Sequence, residues 1–140
     1  MAKKIALFVG RFQPFHNGHL SVVKRLSKKY DLVKIGIGSS QLSGTNENPF
    51  TAVQRRAMIR ATMHAEGISH YKIYFLPDVD NDDVRWVELA HKTFGVFDVA
   101  YSGNSWVLRV FKDAGIKTIR LREIQPYSGT RIRKLLKNKK

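Results

Sequence analysis

With 140 residues, 43% of them hydrophobic, the chain is the size of one domain and has enough apolar surface for a core, so disorder is not expected. It has no cysteine, which excludes disulfides, thiolate chemistry and cysteine–zinc sites. No apolar run nears the ~20 residues of a membrane span or follows Met-Ala-Lys-Lys as a secretory signal would, so the expected setting is cytoplasmic. A net charge of +14 points to anionic partners, nucleic acid or phosphorylated metabolites, though Lys24-Arg25 with Lys28-Lys29 and the run from Lys134 to Lys140 read first as solvated faces and a tail.

Ile5 to Val9 is long enough for one buried strand and is bounded by Gly10. After a loop, Leu20, Val23, Leu26 and Tyr30 recur at helical spacing. Leu32 to Ile37 is a second apolar run, ending in Gly38-Ser39-Ser40-Gln41, a loop of small residues with free hydroxyls. The polar segment Leu42 to Asn48 is expected to be mobile; Pro49 closes it, and Thr51 is the expected N-cap of a helix running to about Glu66, before Gly67. Ile73 to Leu76 forms a third strand and leads through Pro77 into the acidic stretch Asp78 to Asp83. Val84, Val87, Ala90 and Phe94 then mark a helix, followed by a strand over Phe97 to Tyr101 and the turn Ser102-Gly103-Asn104. A helix carrying Leu108 and Phe111, a strand over Ile116 to Ile119 and a helix from Thr130 to about Lys137 complete the chain. Strands alternating with amphipathic helices predict an α/β fold. We expect a single-domain (1–140), Rossmann-like, doubly wound parallel sheet of about five strands in the order 3-2-1-4-5, with helices on both faces. The ligand crevice is expected where the first strand meets the fourth.

The loop between the first strand and first helix holds His16 and His19, three apart, with Gly18 between them. If His16 stands at the helix mouth and His19 in its first turn, both rings can face one anion, and Gly18 lets a phosphate approach the backbone. Arg11 adds a charge that does not titrate, and Pro14 stiffens the loop. The alternative is a pair of surface histidines beside a turn glycine; the strand before, the helix after and the nearby arginine favour the phosphate site. Near the other end, Ser128 or Thr130 can cap a helix, Gly129 permits close backbone approach, and Arg133 lies one turn in. A plain capped helix with a basic face accounts for that stretch equally well. His64, His70 and His91 are too scattered to argue a metal site, and Asp78, Asp80, Asp82 and Asp83 lack EF-hand spacing.

The stretch Gly10-Arg11-Phe12-Gln13-Pro14-Phe15-His16-Asn17-Gly18-His19 resembles the H-x-G-H signature of the nucleotidylyltransferase superfamily, and in its longer form the archaeal-type nicotinamide-mononucleotide adenylyltransferases. Tyr127-Ser128-Gly129-Thr130 through Arg133 is similar to the loop that grips the ATP phosphates in that family. Tyr101 to Asn104 is similar to a stretch near the adenine, and Asn48 to Thr51 to one opening the second helix. The resemblance implies catalytic roles for His16, His19, Arg11 and Arg133. It implies ATP contacts at Gly10, Phe12, Gln13, Gly18, Gly103, Asn104, Tyr127, Ser128, Gly129 and Thr130, and nicotinamide-nucleotide contacts at Ser39, Asp80 and Trp86. Three departures stand out. The Asp80–Trp86 interval is about one residue shorter, Gly44 replaces a histidine of several relatives, and the chain ends soon after the last motif, without their C-terminal helical extension.

The implied reaction transfers AMP from ATP to nicotinamide mononucleotide. Mg²⁺ would be carried on the ATP phosphates with few or no protein ligands, NAD is the expected bound product, and a homo-oligomer is expected. Two alternatives stay open: another phosphate acceptor, such as a flavin nucleotide, phosphopantetheine or a small phosphate, or a basic nucleic-acid-binding module. Against the module, the aromatic residues fall mostly at strand-like or helix-core positions and form no stacking platform.

Overall fold

The computed structural model of the chain describes residues 3–80, 82–122, 133 and 136. Along the chain come β1 (Ile5–Gly10), α1 (Asn17–Lys29), β2 (Leu32–Gly38), α2 (Ala52–Ala65), β3 (Tyr71–Leu76), α3 (Asp83–Phe94), β4 (Val99–Ser102), α4 (Ser105–Asp113) and β5 (Thr118–Arg120). The strands form one sheet in the order β3-β2-β1-β4-β5, and every neighbouring pair is parallel. This is the expected α/β order, with β1 and β4 adjacent at its centre.

Period-two alternation along β1 sends Ala6 and Phe8 to one face and Leu7 and Val9 to the other, and all four are buried. Ala6 and Phe8 pack with Val22, Val23 and Leu26 of α1 and Ile59 and Met63 of α2. Leu7 and Val9 pack with Trp86, Ala90 and Phe94 of α3 and Val107, Val110 and Phe111 of α4. Helices thus cover both faces. On the second face Gly36 leaves room for the Phe94 ring, which an added Cβ would meet at 2.7 Å.

Several boundaries differ from the sequence reading. Val84 is 68% exposed, whereas Trp86 is buried. At 100° per residue, Val84 lies roughly 110° from the middle of the arc set by Trp86, Val87, Ala90 and Phe94, so it points to water. Tyr30 caps α1 rather than extending it. The fourth and fifth strands begin two residues later than expected, because Phe97 and Ile116 pack against the α3–α4 core before strand pairing starts. Residues 41–47 are exposed and form no regular element; the loop closes on itself through Asn48 N–H to Thr45 Oγ1 at 2.9 Å. Of the helix expected from Thr130 to about Lys137 only residues 133 and 136 are described, and both are helical. Among the described residues no helix is long and apolar enough to cross a membrane.

Candidate active site

Parallel pairing brings the carboxyl ends of β1, β2, β3 and β4 to one edge of the sheet, and a cavity of about 450 Å³ opens there. Gly10, Arg11, His16, Gly18 and His19 line it from the β1–α1 side. Ser39 and Asp78 line it from the ends of β2 and β3, and Trp86 from α3. Gly103, Asn104 and Trp106 line it beyond β4, and Arg122 beyond β5.

The two histidines build the start of α1. His16 is the N-cap; its Nδ1 accepts the Gly18 N–H at 3.0 Å, and His19 Nδ1 accepts the His16 N–H at 3.1 Å. This is the reciprocal capping arrangement, made here by imidazoles instead of a hydroxyl and a carboxylate. Because both Nδ1 atoms accept, the proton of each neutral ring is assigned to Nε2. The rings stack with centroids 3.7 Å apart and planes at 24°. Phe15 stacks on His19 at 5.4 Å, and Phe12 meets it edge-on at 4.8 Å. Burial first, and then the charge of His16, push the His19 pKa down to about 3. His19 is thus neutral at physiological pH.

The loop carrying this pair is tied down on two sides. Gln13 is buried; its Nε2 donates to the Phe50 carbonyl at 3.0 Å and its Oε1 accepts the Phe50 N–H at 2.9 Å, so the β1 exit and the entry to α2 are joined both ways. Arg133 Nη1 donates to the Gln13 carbonyl at 2.7 Å, joining the chain's far end to the same loop. Burial and the Arg11 charge lower the Arg133 pKa, and Glu47 partly offsets this. Arg11 itself is exposed and donates to Asn48 Oδ1 at 3.3 Å.

Arg55 is wholly buried. Its guanidinium donates to the carbonyls of Arg11 at 2.9 Å, Gly38 at 3.1 Å, Ser39 at 3.3 Å, Leu42 at 3.2 Å and Thr51 at 3.2 Å. One side chain thereby holds the exits of β1 and β2 and the start of α2. It also secures Ser39 in the left-handed region at φ 48°, a conformation costly for a residue with a Cβ. Burial and the nearby Arg11 charge push the Arg55 pKa down. Beside it, Ser39 Oγ donates to Asp78 Oδ1 at 3.0 Å and Gln41 Nε2 to Asp78 Oδ2 at 2.9 Å. At the start of α4, Asn104 Oδ1 accepts from the N–H groups of Trp106 at 2.9 Å and Val107 at 3.2 Å.

Of the residues singled out in the sequence, Gly10, Arg11, His16, Gly18, His19, Ser39, Trp86, Gly103 and Asn104 share the cavity. Phe12 and Gln13 are buried behind it, and Phe12 also sits at a positive φ of 53°. Asp80 is exposed and outside the lining; Asp78, two residues earlier, is the acidic side chain that lines it. Tyr127, Ser128, Gly129 and Thr130 lie outside the described residues. The sequence reading missed Asp78, Arg55, Trp106 and Arg122. Asn104, an N-cap residue type two positions before Trp106, was the available signal for the tryptophan. Nothing marked Arg55 among the arginines of its helix. Among the described residues no group of three or more His, Cys, Asp or Glu side chains converges to hold a metal ion.

The model of the cytidylyltransferase-like family matches residues 7–135 of this chain. A nicotinamide-nucleotide adenylyltransferase from Methanococcus aeolicus is 41% identical over 135 residues, which are 95% of this chain and 77% of that protein. A bifunctional NMN adenylyltransferase/ADP-ribose pyrophosphatase from Francisella tularensis superposes with a TM-score of 0.81 at 25% identity. The alignment covers 99% of this chain but only 43% of that longer one. The structure of the Francisella protein with AMP and a manganese ion gives a TM-score of 0.78 at 25% identity, over 98% of this chain and 42% of that one.

Proposed function

This chain belongs to the cytidylyltransferase-like family and, within it, to the nicotinamide-nucleotide adenylyltransferases; on that basis we propose that it transfers AMP from ATP to nicotinamide mononucleotide, giving NAD and pyrophosphate. The observation that carries the reading is the cavity in which Arg11 and the stacked, Nε2-protonated His16–His19 pair face residues from β2, β3 and β4. Residues 1–140 act in this reading as one nucleotidylyltransferase domain.

An acceptor phosphate oxygen forms the new bond to the α-phosphorus of ATP. The bond from that phosphorus to the bridging oxygen breaks, and pyrophosphate leaves with the electron pair. The acceptor phosphate, with a second pKa near 6, is largely dianionic at neutral pH and needs no general base. The protein's work is alignment and stabilisation of the charge that builds on the phosphoryl oxygens. His16 and His19 donate from Nε2, and Arg11 and Arg133 supply fixed charge. Gly10 and Gly18 let the phosphates approach the backbone, and Gly103 and Asn104 serve the adenosine end. Tyr127, Ser128, Gly129 and Thr130 are assigned to the triphosphate from the resemblance of their loop. Ser39 and Trp86 serve the acceptor half, with Asp78 taking the part first given to Asp80. A divalent ion, Mg²⁺ in this proposal, would be carried with the ATP, held by few or no protein side chains, and would supply neutralisation of triphosphate charge. NAD is the proposed bound product, and the chain is proposed to assemble with copies of itself.

Mixing the protein with ATP, Mg²⁺ and nicotinamide mononucleotide should yield NAD and pyrophosphate in equal amounts, followed by chromatography and a pyrophosphate assay. Pyrophosphate released only with flavin mononucleotide, phosphopantetheine or glycerol phosphate as acceptor would overturn the substrate assignment.

A further inference from the structure

Asn48 opens the stretch that enters α2, and it is buried, although an asparagine at the end of a loop normally faces water. This stretch and α2 hold the β1 exit at several points. Phe50 pairs both ways with Gln13, and Arg55 donates to the Arg11 carbonyl. Those bonds each end on backbone. Asn48 instead takes hold of a side chain assigned to the phosphates, because its Oδ1 accepts from Arg11 Nη1 at 3.3 Å across 37 residues of sequence. Asn48 is itself fixed. Its N–H donates to Thr45 Oγ1 at 2.9 Å, its carbonyl accepts the Thr45 N–H at 3.3 Å, and Pro49 locks the next φ.

Arg11 needs such a hold. Its side chain is exposed and rich in rotamers, and two other guanidiniums share its surroundings. Burial and then the Arg11 charge lower the pKa of both Arg55 and Arg133, so like charge pushes Arg11 away from the loop it serves. A carboxylate would hold the guanidinium by cancelling its charge. A neutral amide oxygen holds it and leaves that charge for a phosphate. Arg11 lines the cavity and Asn48 does not.

We propose that Asn48 is a positioning residue for AMP transfer, its amide oxygen keeping the Arg11 guanidinium aimed into the cavity before ATP arrives. The inference rests on the function proposed above and adds to it a residue that touches neither substrate. Aim set in advance spares the reaction the cost of ordering a long side chain in the transition state.

The test is a double-mutant cycle between Asn48 and Arg11, with kcat for NAD formation as the readout and single turnovers in excess enzyme keeping the weaker variants in range. Asn48→Ala should lower kcat roughly 5- to 30-fold in the wild-type background, the effect of losing one hydrogen bond to a charged group. In an Arg11→Ala background the same change should cost less than about 2-fold, since no guanidinium is left to aim. Asn48→Ser, whose shorter hydroxyl does not reach Arg11, should behave alike and serves if the alanine variant fails to fold. A kcat within about 2-fold of wild type in these variants would overturn the inference. An equal loss in the two backgrounds would also overturn it and leave Asn48 a prop of the loop. Absence of NAD synthesis by wild type would instead overturn the function on which it rests.

Discussion

His19 is crowded by Phe8, Phe12, Phe15 and a second imidazole, and its Nδ1 is already occupied by the His16 N–H. That leaves Nε2–H as its one donor, held ready before any ligand arrives. His19→Ala should lower kcat by ~100- to 1000-fold, the usual effect of removing one such donor, with a much smaller change in ATP affinity. Steady-state rates combined with direct ATP binding measure this, and a near wild-type kcat would remove His19 from the chemistry. The same burial makes His19 a stability sensor. Its folded pKa of about 3 lies below the unfolded value near 6.5, so beneath pH 6.5 the unfolded chain takes up a proton that the folded chain refuses. Stability is therefore complete above that pH and falls as acid is added toward pH 3. From this group alone, urea unfolding at pH 5 should show about 2 kcal/mol less stability than at pH 7. His19→Gln should flatten that difference.

Elements, unlike their contacts, were largely legible in the sequence. Buried parallel strands are near-continuous apolar runs, so Ile5 to Val9 and Leu32 to Ile37 declare themselves. Thr51 declares itself as a cap, and the structure adds the reciprocal bond in which the Thr51 N–H donates to Gln54 Oε1 at 2.8 Å. The β1–α1 wall of the cavity was legible because it follows from one strand–loop–helix unit read in order. What was hidden depends on which side of an element turns inward across a long sequence separation. Arg55 lies beside Arg56 on a helix with a weak apolar stripe, and an arginine there reads as solvated. Its burial is decided by carbonyls 13 to 44 residues away that the β1 and β2 exits aim at it. Asp78 and not Asp80 reaches the cavity because Ser39 and Gln41 hold its carboxylate. Since Arg55 joins three segments, Arg55→Met should unfold in urea with a loss of roughly 3 kcal/mol or more, five carbonyls having lost a charged donor. A loss below about 1 kcal/mol would mean that the segments hold their places without it.

For the molecule as a whole, 25 basic against 11 acidic side chains give a net positive charge that attracts a triphosphate. Such attraction is screened, with a Debye length of about 10 Å at 0.1 M salt. KM for ATP should therefore rise several-fold between 20 mM and 300 mM KCl with kcat nearly constant, measured at saturating acceptor. A salt-insensitive KM would make the excess charge irrelevant to capture. The chain contains only two tryptophans, and both line the cavity. Ultraviolet emission excited near 295 nm therefore has no source elsewhere in the protein. A pyridinium nucleotide settling beside these indoles should dim nearly all of the signal at once, so occupancy can be followed on a stopped-flow timescale with no dye or label attached.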